Sequence, residues 1–149
     1  MAASIRRLKG AVESKMRERR MNIALWVVQV LLGVVFLGQG ILKFAAPDGL
    51  PAMLSWVYDV TGPGAVALGV AELAAAAGMI LPGLTGIQPR LTPLAALGLV
   101  VVMAGAIVFH VGREEYQQIG FNVLLLVMAG FVAYGRWRLV PLKSRSDAA

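Results

Sequence analysis

Cysteine is absent from this chain of 149 residues, and histidine occurs once, as His110. Without thiols the chain cannot form disulfides, use thiolate chemistry or bind an iron–sulfur cluster through cysteine. A single imidazole provides no pair of histidines for haem, and we expect no transition-metal site formed by this chain alone. No segment has the pattern of a β-strand, and so no glycine-rich phosphate loop follows one. We therefore predict no metal ligands and no catalytic residues.

The chain is instead dominated by four long apolar stretches. They run approximately over Asn22–Phe44, Gly64–Leu81, Pro93–His110 and Ile119–Tyr134. Each is close to the roughly 20 residues that a helix needs to cross a hydrocarbon layer of about 30 Å. The connections are too short to form a soluble catalytic domain, and they require neighbouring helices to be antiparallel. The sequence predicts an all-α integral membrane protein, an antiparallel four-helix bundle.

The distribution of charge predicts the orientation of this bundle. The formal net charge is +6, and most basic residues flank the apolar stretches. Lys and Arg are concentrated in the two terminal segments, and Arg90 stands alone in the second connection, whereas the first connection contains Asp48 and Asp59. By the positive-inside rule both termini are expected in the cytoplasm. We expect the basic tails to contact the anionic lipid bilayer and predict no nucleic-acid partner.

Three segments follow from this pattern. Residues 1–21 form a basic N-terminal segment that is either an amphipathic helix or disordered, unless translation starts at Met21. Residues 22–136 form the membrane domain, and residues 137–149 form a basic cytoplasmic tail. Leu81-Pro82-Gly83 is predicted to end the second helix. Thr92 is predicted as the N-cap of the third helix, with Pro93 in its first turn.

Polar residues within the apolar stretches recur on one stripe of each helix, at spacings of three and four. The stripe of the second helix contains Gly69, Glu72, Ala76 and Met79. An acid near mid-membrane costs about 2.5–3.5 kcal/mol on insertion scales, so Glu72 must be protonated, paired or facing water. At about 1.5 Å per residue it lies about 10 Å below the outer boundary, within reach of the first helix. The sequence predicts a polar chamber in the outer half of the bundle, formed by Gln39, Lys43, Glu72, His110 and Asn122.

Several roles are open for these residues. Glu72 either pairs with Lys43 and fixes the helix register, or it takes part in binding a ligand or a proton. Lys43 could instead extend to the outer headgroups, and His110 could be an interfacial side chain, a ligand-binding group or a proton relay. We expect Asn22 and Gln29 to hydrogen-bond between helices. We expect Arg113, Glu114 and Glu115 to form a solvated loop.

A series of short motifs covers essentially residues 21–136. They are Met21–Trp26, Gly38–Lys43, Gly69–Leu73, Ile80–Pro82, Leu91–Ala96, Gly105–His110 and Ala133–Arg136. In this combination and order the chain resembles the DoxX-like family of small bacterial membrane proteins. The resemblance implies a four-helix transmembrane bundle in the bacterial inner membrane and a quinone-linked or redox-associated role. Named relatives include subunits of a thiosulfate:quinone oxidoreductase. Because this chain has no cysteine, thiol-based electron transfer by its own residues is not expected.

Three hypotheses about function follow. The first is a non-catalytic subunit or accessory factor of a membrane redox system, whose chamber holds a quinone or another lipophilic ligand. The second is a quinone-dependent oxidoreductase subunit that receives electrons from a redox partner protein. The third is a small transporter or proton path. Four spans are few for alternating access, and the sequence shows no repeat with broken helices. Glycine- and alanine-rich helix faces also permit a homo-oligomer without requiring one.

Overall fold

The structure, a computed structural model, describes residues 2–60 and 62–147 of the chain. Its four α-helices are α1 (Ala2–Leu42), α2 (Gly62–Thr85), α3 (Leu91–Val111) and α4 (Tyr116–Tyr134). Within those ranges there is no strand, and four helices are long and apolar enough to cross a membrane. The all-helical architecture with four candidate spans, predicted from the four apolar stretches, is confirmed.

Shorter helical elements complete the chain. A 3₁₀ helix over Ala52–Tyr58, which we call the cap helix, lies between α1 and α2. A turn of π-helix over Gly135–Leu139 extends α4, and a last 3₁₀ turn covers Arg145–Asp147. We call the end of the bundle with the cap helix and the α3–α4 connection the cap end. The opposite end, with the α2–α3 connection and residues 140–147, is the tail end.

The first helix is longer than the apolar stretch that predicted it. α1 contains 41 residues, so the basic N-terminal segment continues without a break into the first candidate span. From Ala2 onward this segment is helical, and Met1 lies outside the described residues, as do residues 148–149 of the tail. Leu8, Val12 and Met16 of the segment are exposed. That this apolar stripe lies on lipid headgroups stays a prediction.

Glycines allow α1 and α2 to pack closely in the half of the bundle nearest the cap end. A methyl group added at Gly40 of α1 would lie 2.8 Å from the Leu73 side chain, and one at Gly69 of α2 would lie 2.8 Å from the Phe44 ring. Contacts this short leave no space for a larger residue. Small residues are the usual means of bringing helices together in lipid, where apolar burial provides no net attraction. α1 and α2 therefore form one tight helical hairpin.

The close approaches between this hairpin and the hairpin of α3 and α4 lie nearer the tail end. A methyl group at Gly78 of α2 would lie 2.8 Å from the Cβ of Ala95 in α3. One at Gly135 would overlap the side chain of Leu25 in α1. The two hairpins are thus brought into contact at the tail end, and this matters for the cavity described below.

The end of α2 and the start of α3 correct two predictions. α2 does not end at Leu81-Pro82-Gly83 but continues through Pro82 to Thr85. Pro82 has no N–H to donate to the carbonyl of Gly78, four residues earlier. The hydroxyl of Thr92 donates to that carbonyl instead, at 3.0 Å, and Thr92 is fully buried. Thr92 is therefore not the N-cap of α3; the cap position is Arg90, without a side-chain hydrogen bond.

The middle of the bundle is filled with apolar side chains from all four helices. These residues have exposed fractions between 0 and 6%, and the largest are Leu32, Phe36, Met79, Leu99, Met103 and Leu125. Four of these six lie on the stripes drawn from the sequence, because residues three and four apart share a helix face, but Leu32 and Leu125 do not. The packed core separates two polar clusters, one towards each end.

Candidate functional site

The cap-end cluster begins with an ion pair between the residue that follows α1 and the middle of α2. The amine of Lys43 lies 2.7 Å from a carboxylate oxygen of Glu72, and the two side chains are 0% and 2% exposed. The close packing of α1 on α2 at Gly40 and Gly69 holds these two residues at this separation. Lys43 therefore does not extend towards the headgroups. A bare charge at this position would be costly, and the pairing removes that cost in part.

An aromatic side chain of the cap helix covers this ion pair. The Lys43 amine lies 4.8 Å from the centre of the Trp56 ring, within the range of a cation–π contact. The same indole makes an edge-on contact with the His110 ring, with 6.1 Å between ring centres. Trp56 thus links α1 to the end of α3 across the cap end of the bundle.

A second group of charges joins the two connections of the cap end. Nδ1 of His110 lies 2.5 Å from Glu115, and Arg113 donates to Glu115 at 2.9 Å and to Asp59 at 2.6 Å. The hydrogen bond from His110, followed by that from Arg113, holds the pKa of Glu115 below its usual value. The loop is solvated as predicted, because Arg113 and Glu114 are exposed and Glu115 is half-buried. The side chains of Arg113 and Glu115 also bind the α3–α4 connection to Asp59, directly after the cap helix.

Between the two hairpins at the cap end lies a cavity of about 780 Å³. The structure brings all five predicted chamber residues to its wall: Gln39, Lys43, Glu72, His110 and Asn122. No hydrogen bond joins Gln39 to Glu72 in the described structure. The remaining wall is mostly apolar, and it includes Trp56 together with valine, leucine and phenylalanine side chains from every helix. That any of these residues binds a ligand stays a prediction.

Asn122 gives this cavity an unpaired polar group. The residue is 6% exposed, and its Nδ2 is buried without a hydrogen-bond partner among the described residues. A buried donor without an acceptor is costly, by about 1–3 kcal/mol. The cavity has a volume typical of small-molecule sites, which are largely apolar with a few directed polar groups. Such a site suits a ligand with an apolar body and an oxygen acceptor on its head.

The tail-end cluster is centred on Arg136, which is 2% exposed. Its guanidinium donates to the side-chain oxygens of Gln29 and Asn22, both at 2.6 Å. Gln29 in turn donates to the backbone carbonyl of Met79 at 2.7 Å. The cluster therefore ties α1 to α2 and to the end of α4. Asn22 and Gln29 were predicted to hydrogen-bond between helices, and they do.

Arg136 continues the stripe of Ala129 and Ala133 on α4, and sequence reasoning placed it both on that stripe and among the basic flanking residues. It did not predict the hydrogen bonds of Arg136 to Gln29 and Asn22. It also missed the contact of Glu115 with His110, which depends on the turn of the chain. Among residues 2–60 and 62–147, no group of three histidine or acidic side chains could hold a metal ion.

Comparisons with known proteins agree with this architecture. A family model described as the DoxX-like family matches residues 27–132, which include the last 16 residues of α1, the cap helix, α2, α3 and most of α4. Neither a curated protein nor a solved structure gave a match. The match covers more than half of the chain and all five chamber residues. The protein is therefore a four-helix membrane protein that belongs to the DoxX-like family.

Proposed function

We propose that this protein is a non-catalytic subunit or accessory factor of a membrane redox system, and that its cap-end cavity holds a lipophile with a polar head. The ligand class that we favour is a quinone. One observation carries the proposal: an ion pair, a histidine and an unpaired amide line one cavity that is otherwise apolar. A quinone carbonyl can accept a hydrogen bond from Asn122, and its ring and tail match the apolar wall.

The family resemblance implies a bacterial inner-membrane location, and the charge distribution supports an orientation with both termini in the cytoplasm. On the positive-inside rule the tail end, with Arg90 and the basic C-terminal segment, faces the cytoplasm. The cap end, with Asp59 and Glu115, then faces outward. The cavity would lie in the outer half of the membrane.

The residues at the cavity support binding more than electron transfer by this chain. The sequence has no cysteine and one histidine, so it offers no thiol couple and no histidine pair for haem. A partner protein would have to supply the electrons. If the chain is instead a quinone-dependent oxidoreductase subunit, a co-purified complex will reduce the quinone and the isolated chain will not.

The packed core argues against a transporter or proton path. Gln29, in the tail-end cluster, and Lys43, in the cap-end cluster, are separated by about 21 Å along α1, at about 1.5 Å per residue. The described residues between them include Leu32 and Phe36, both fully buried. No chain of polar side chains crosses this layer in the described structure.

The binding proposal is tested by what the purified protein retains. We expect an organic extract of detergent-purified protein from bacterial membranes to show the ultraviolet spectrum of a quinone, with the change that borohydride reduction causes. Asn122→Leu removes the donor at similar volume and should reduce the quinone content by about tenfold, if the hydrogen bond contributes about 1.4 kcal/mol.

The matched control is Val123→Leu, at the next position of α4, which is half exposed and does not line the cavity. It should retain as much quinone as the unmodified protein. Extracts that contain phospholipid and no quinone, in the unmodified protein and in both variants, would contradict the proposal.

A further inference from the structure

The cavity lies where the two hairpins separate. Near the tail end α2 approaches α3 at Gly78, and Leu25 of α1 packs on Gly135 after α4. The hydrogen bond from Arg136 to Gln29 also ties α1 to the end of α4 there. No comparable tie joins the helices of the two hairpins around the cavity, among the described residues. The space between them is the cavity itself, and the chain crosses above it only through the cap helix and the charged connections.

The sides of this cavity reach the outer surface of the bundle. Val34 of α1 and Val101 of α3 both line the cavity, yet they are 65% and 68% exposed. Gly38 and Gly105, one turn nearer the cap end, also line it, and a methyl group added at either would meet nothing within 4 Å. The cavity is therefore open sideways, next to an exposed glycine on each hairpin.

These openings lie at the depth of the hydrocarbon. Val34 is eight residues from the end of α1 at Leu42, which is about 12 Å at about 1.5 Å per residue. Val101 is ten residues from the end of α3 at Val111, about 15 Å by the same measure. Both helices are long and apolar enough to span the membrane. A molecule that passes these openings passes between the cavity and lipid tails.

At the cap end of the cavity, the cap covers the Lys43–Glu72 pair. The ring of Trp56 lies over the Lys43 amine and against His110. Just beyond it Arg113 connects Asp59 to Glu115, and Glu115 contacts His110. A ligand that reached the ion pair through the cap would have to displace Trp56 and break this network.

We infer that the cavity is loaded sideways from the lipid, past Gly38 and Gly105, and not through the cap. This inference rests on the proposed function of the cavity and narrows its ligand class to amphiphiles that reside in the membrane. Water-soluble solutes are excluded as the main ligands. The cap then acts as a fixed wall that positions the polar head beside the Lys43–Glu72 pair.

The test compares an obstructed side with a locked cap, in proteoliposomes to which decyl-ubiquinone is added. Quinones quench indole fluorescence, so uptake is followed by stopped-flow quenching of Trp56, with a Trp56→Phe variant as background. Gly38→Phe combined with Gly105→Phe places rings beside both openings. The control combines Gly98→Phe and Gly130→Phe, because a methyl group added at either of these two glycines also meets nothing within 4 Å and neither lines the cavity.

The cap is locked by Asp59→Cys and Arg113→Cys, joined with a short bismaleimide. Labelling is specific because the chain has no other cysteine. Sideways entry predicts that the obstructed variant takes up quinone at least about tenfold more slowly than its control, while cross-linking leaves the rate unchanged.

Two other outcomes overturn the inference, and they can be told apart. If the unmodified protein takes up quinone, but cross-linking stops uptake and the paired phenylalanines do not slow it, entry is through the cap and only the route is wrong. If Trp56 is quenched no more than the background in the unmodified protein, the proposed function fails, and the route fails with it.

Discussion

The Lys43 amine and the Glu72 carboxylate form an ion pair of 2.7 Å inside the apolar part of the bundle. Taking two charges out of water costs several kcal/mol, and their attraction offsets this cost only in part. Losing one partner, however, leaves the other charged and buried. The pair can fix the register of α1 on α2, orient a ligand head, or do both. Stability and binding measurements separate these roles.

Breaking the Lys43–Glu72 pair should destabilise the bundle strongly. We expect Lys43→Met and Glu72→Gln each to lower the free energy of unfolding by about 3–5 kcal/mol, because each leaves a charge without a partner. The double variant should recover part of that loss. Unfolding in mixed micelles with increasing dodecyl sulfate, followed by circular dichroism, measures all three.

The control for this cycle is Lys9→Met, because Lys9 is exposed on the N-terminal part of α1. It should change the free energy of unfolding by no more than about 0.5 kcal/mol. If the double variant loses as much free energy of unfolding as the two single variants together, Lys43 and Glu72 are not coupled.

Arg136 should act as a structural tie, and its chemistry makes lysine a poor replacement. Arg136→Leu leaves the oxygens of Gln29 and Asn22 without donors, at about 1–3 kcal/mol for the buried Gln29 and less for the half-buried Asn22. Arg136→Lys keeps the charge but cannot reach both oxygens with a planar group, so its stability should lie between those of Arg136→Leu and the unmodified protein. Arg138→Leu, at an exposed position two residues on, is the control. Equal stability of the leucine variants at 136 and 138 would contradict this role.

The helix faces could be predicted from the sequence because they depend on spacing alone. Gly69, Glu72, Ala76 and Met79 follow one another at intervals of three and four, and each is buried. An acid on such a stripe must find a partner in the membrane, and the depth of each residue follows from the rise of a helix. That arithmetic brought Lys43 within reach of Glu72, where the structure has it.

What the sequence could not provide are contacts that depend on how connections turn. Glu114 has a positive φ of 59°, which directs the chain so that Glu115 returns to His110. Nothing in the spacing of these residues indicates that turn. The prediction of Thr92 as an N-cap was wrong for a related reason. Local rules place Thr before a proline at the start of a helix, but they take no account of a hydrogen bond to another helix, here to the Gly78 carbonyl.

The hydrogen bond from Thr92 to Gly78 should contribute more to stability when Pro82 is present. Thr92→Val removes the hydroxyl at nearly constant shape and leaves the Gly78 carbonyl unpaired, which should cost about 1–3 kcal/mol. In a Pro82→Ala background the alanine N–H can donate to Gly78, so the same substitution should cost less. Thermal unfolding of the four proteins gives the coupling. An equal cost in both backgrounds would mean that Pro82 does not create the need for Thr92.

The cap network should weaken in acid because of Glu115. Its pKa is lowered in the folded protein, first by the hydrogen bond from His110 and then by Arg113. A carboxyl with a lowered pKa stabilises the fold fully above its ordinary value, about 4.3, and loses that contribution as the pH falls through the lowered value. We expect Trp56, which contacts His110, to change its fluorescence as the pH falls through this range, as the cap loosens.

Glu115→Gln should remove this acid transition, because a glutamine cannot titrate. Glu114→Gln is the matched control, since its carboxylate belongs to the same connection but not to the network that joins His110, Arg113 and Asp59. It should keep the transition of the unmodified protein. A transition that persists in Glu115→Gln would assign it to another group near Trp56, such as the carboxylate of Asp59, whose backbone N–H donates to the Trp56 carbonyl.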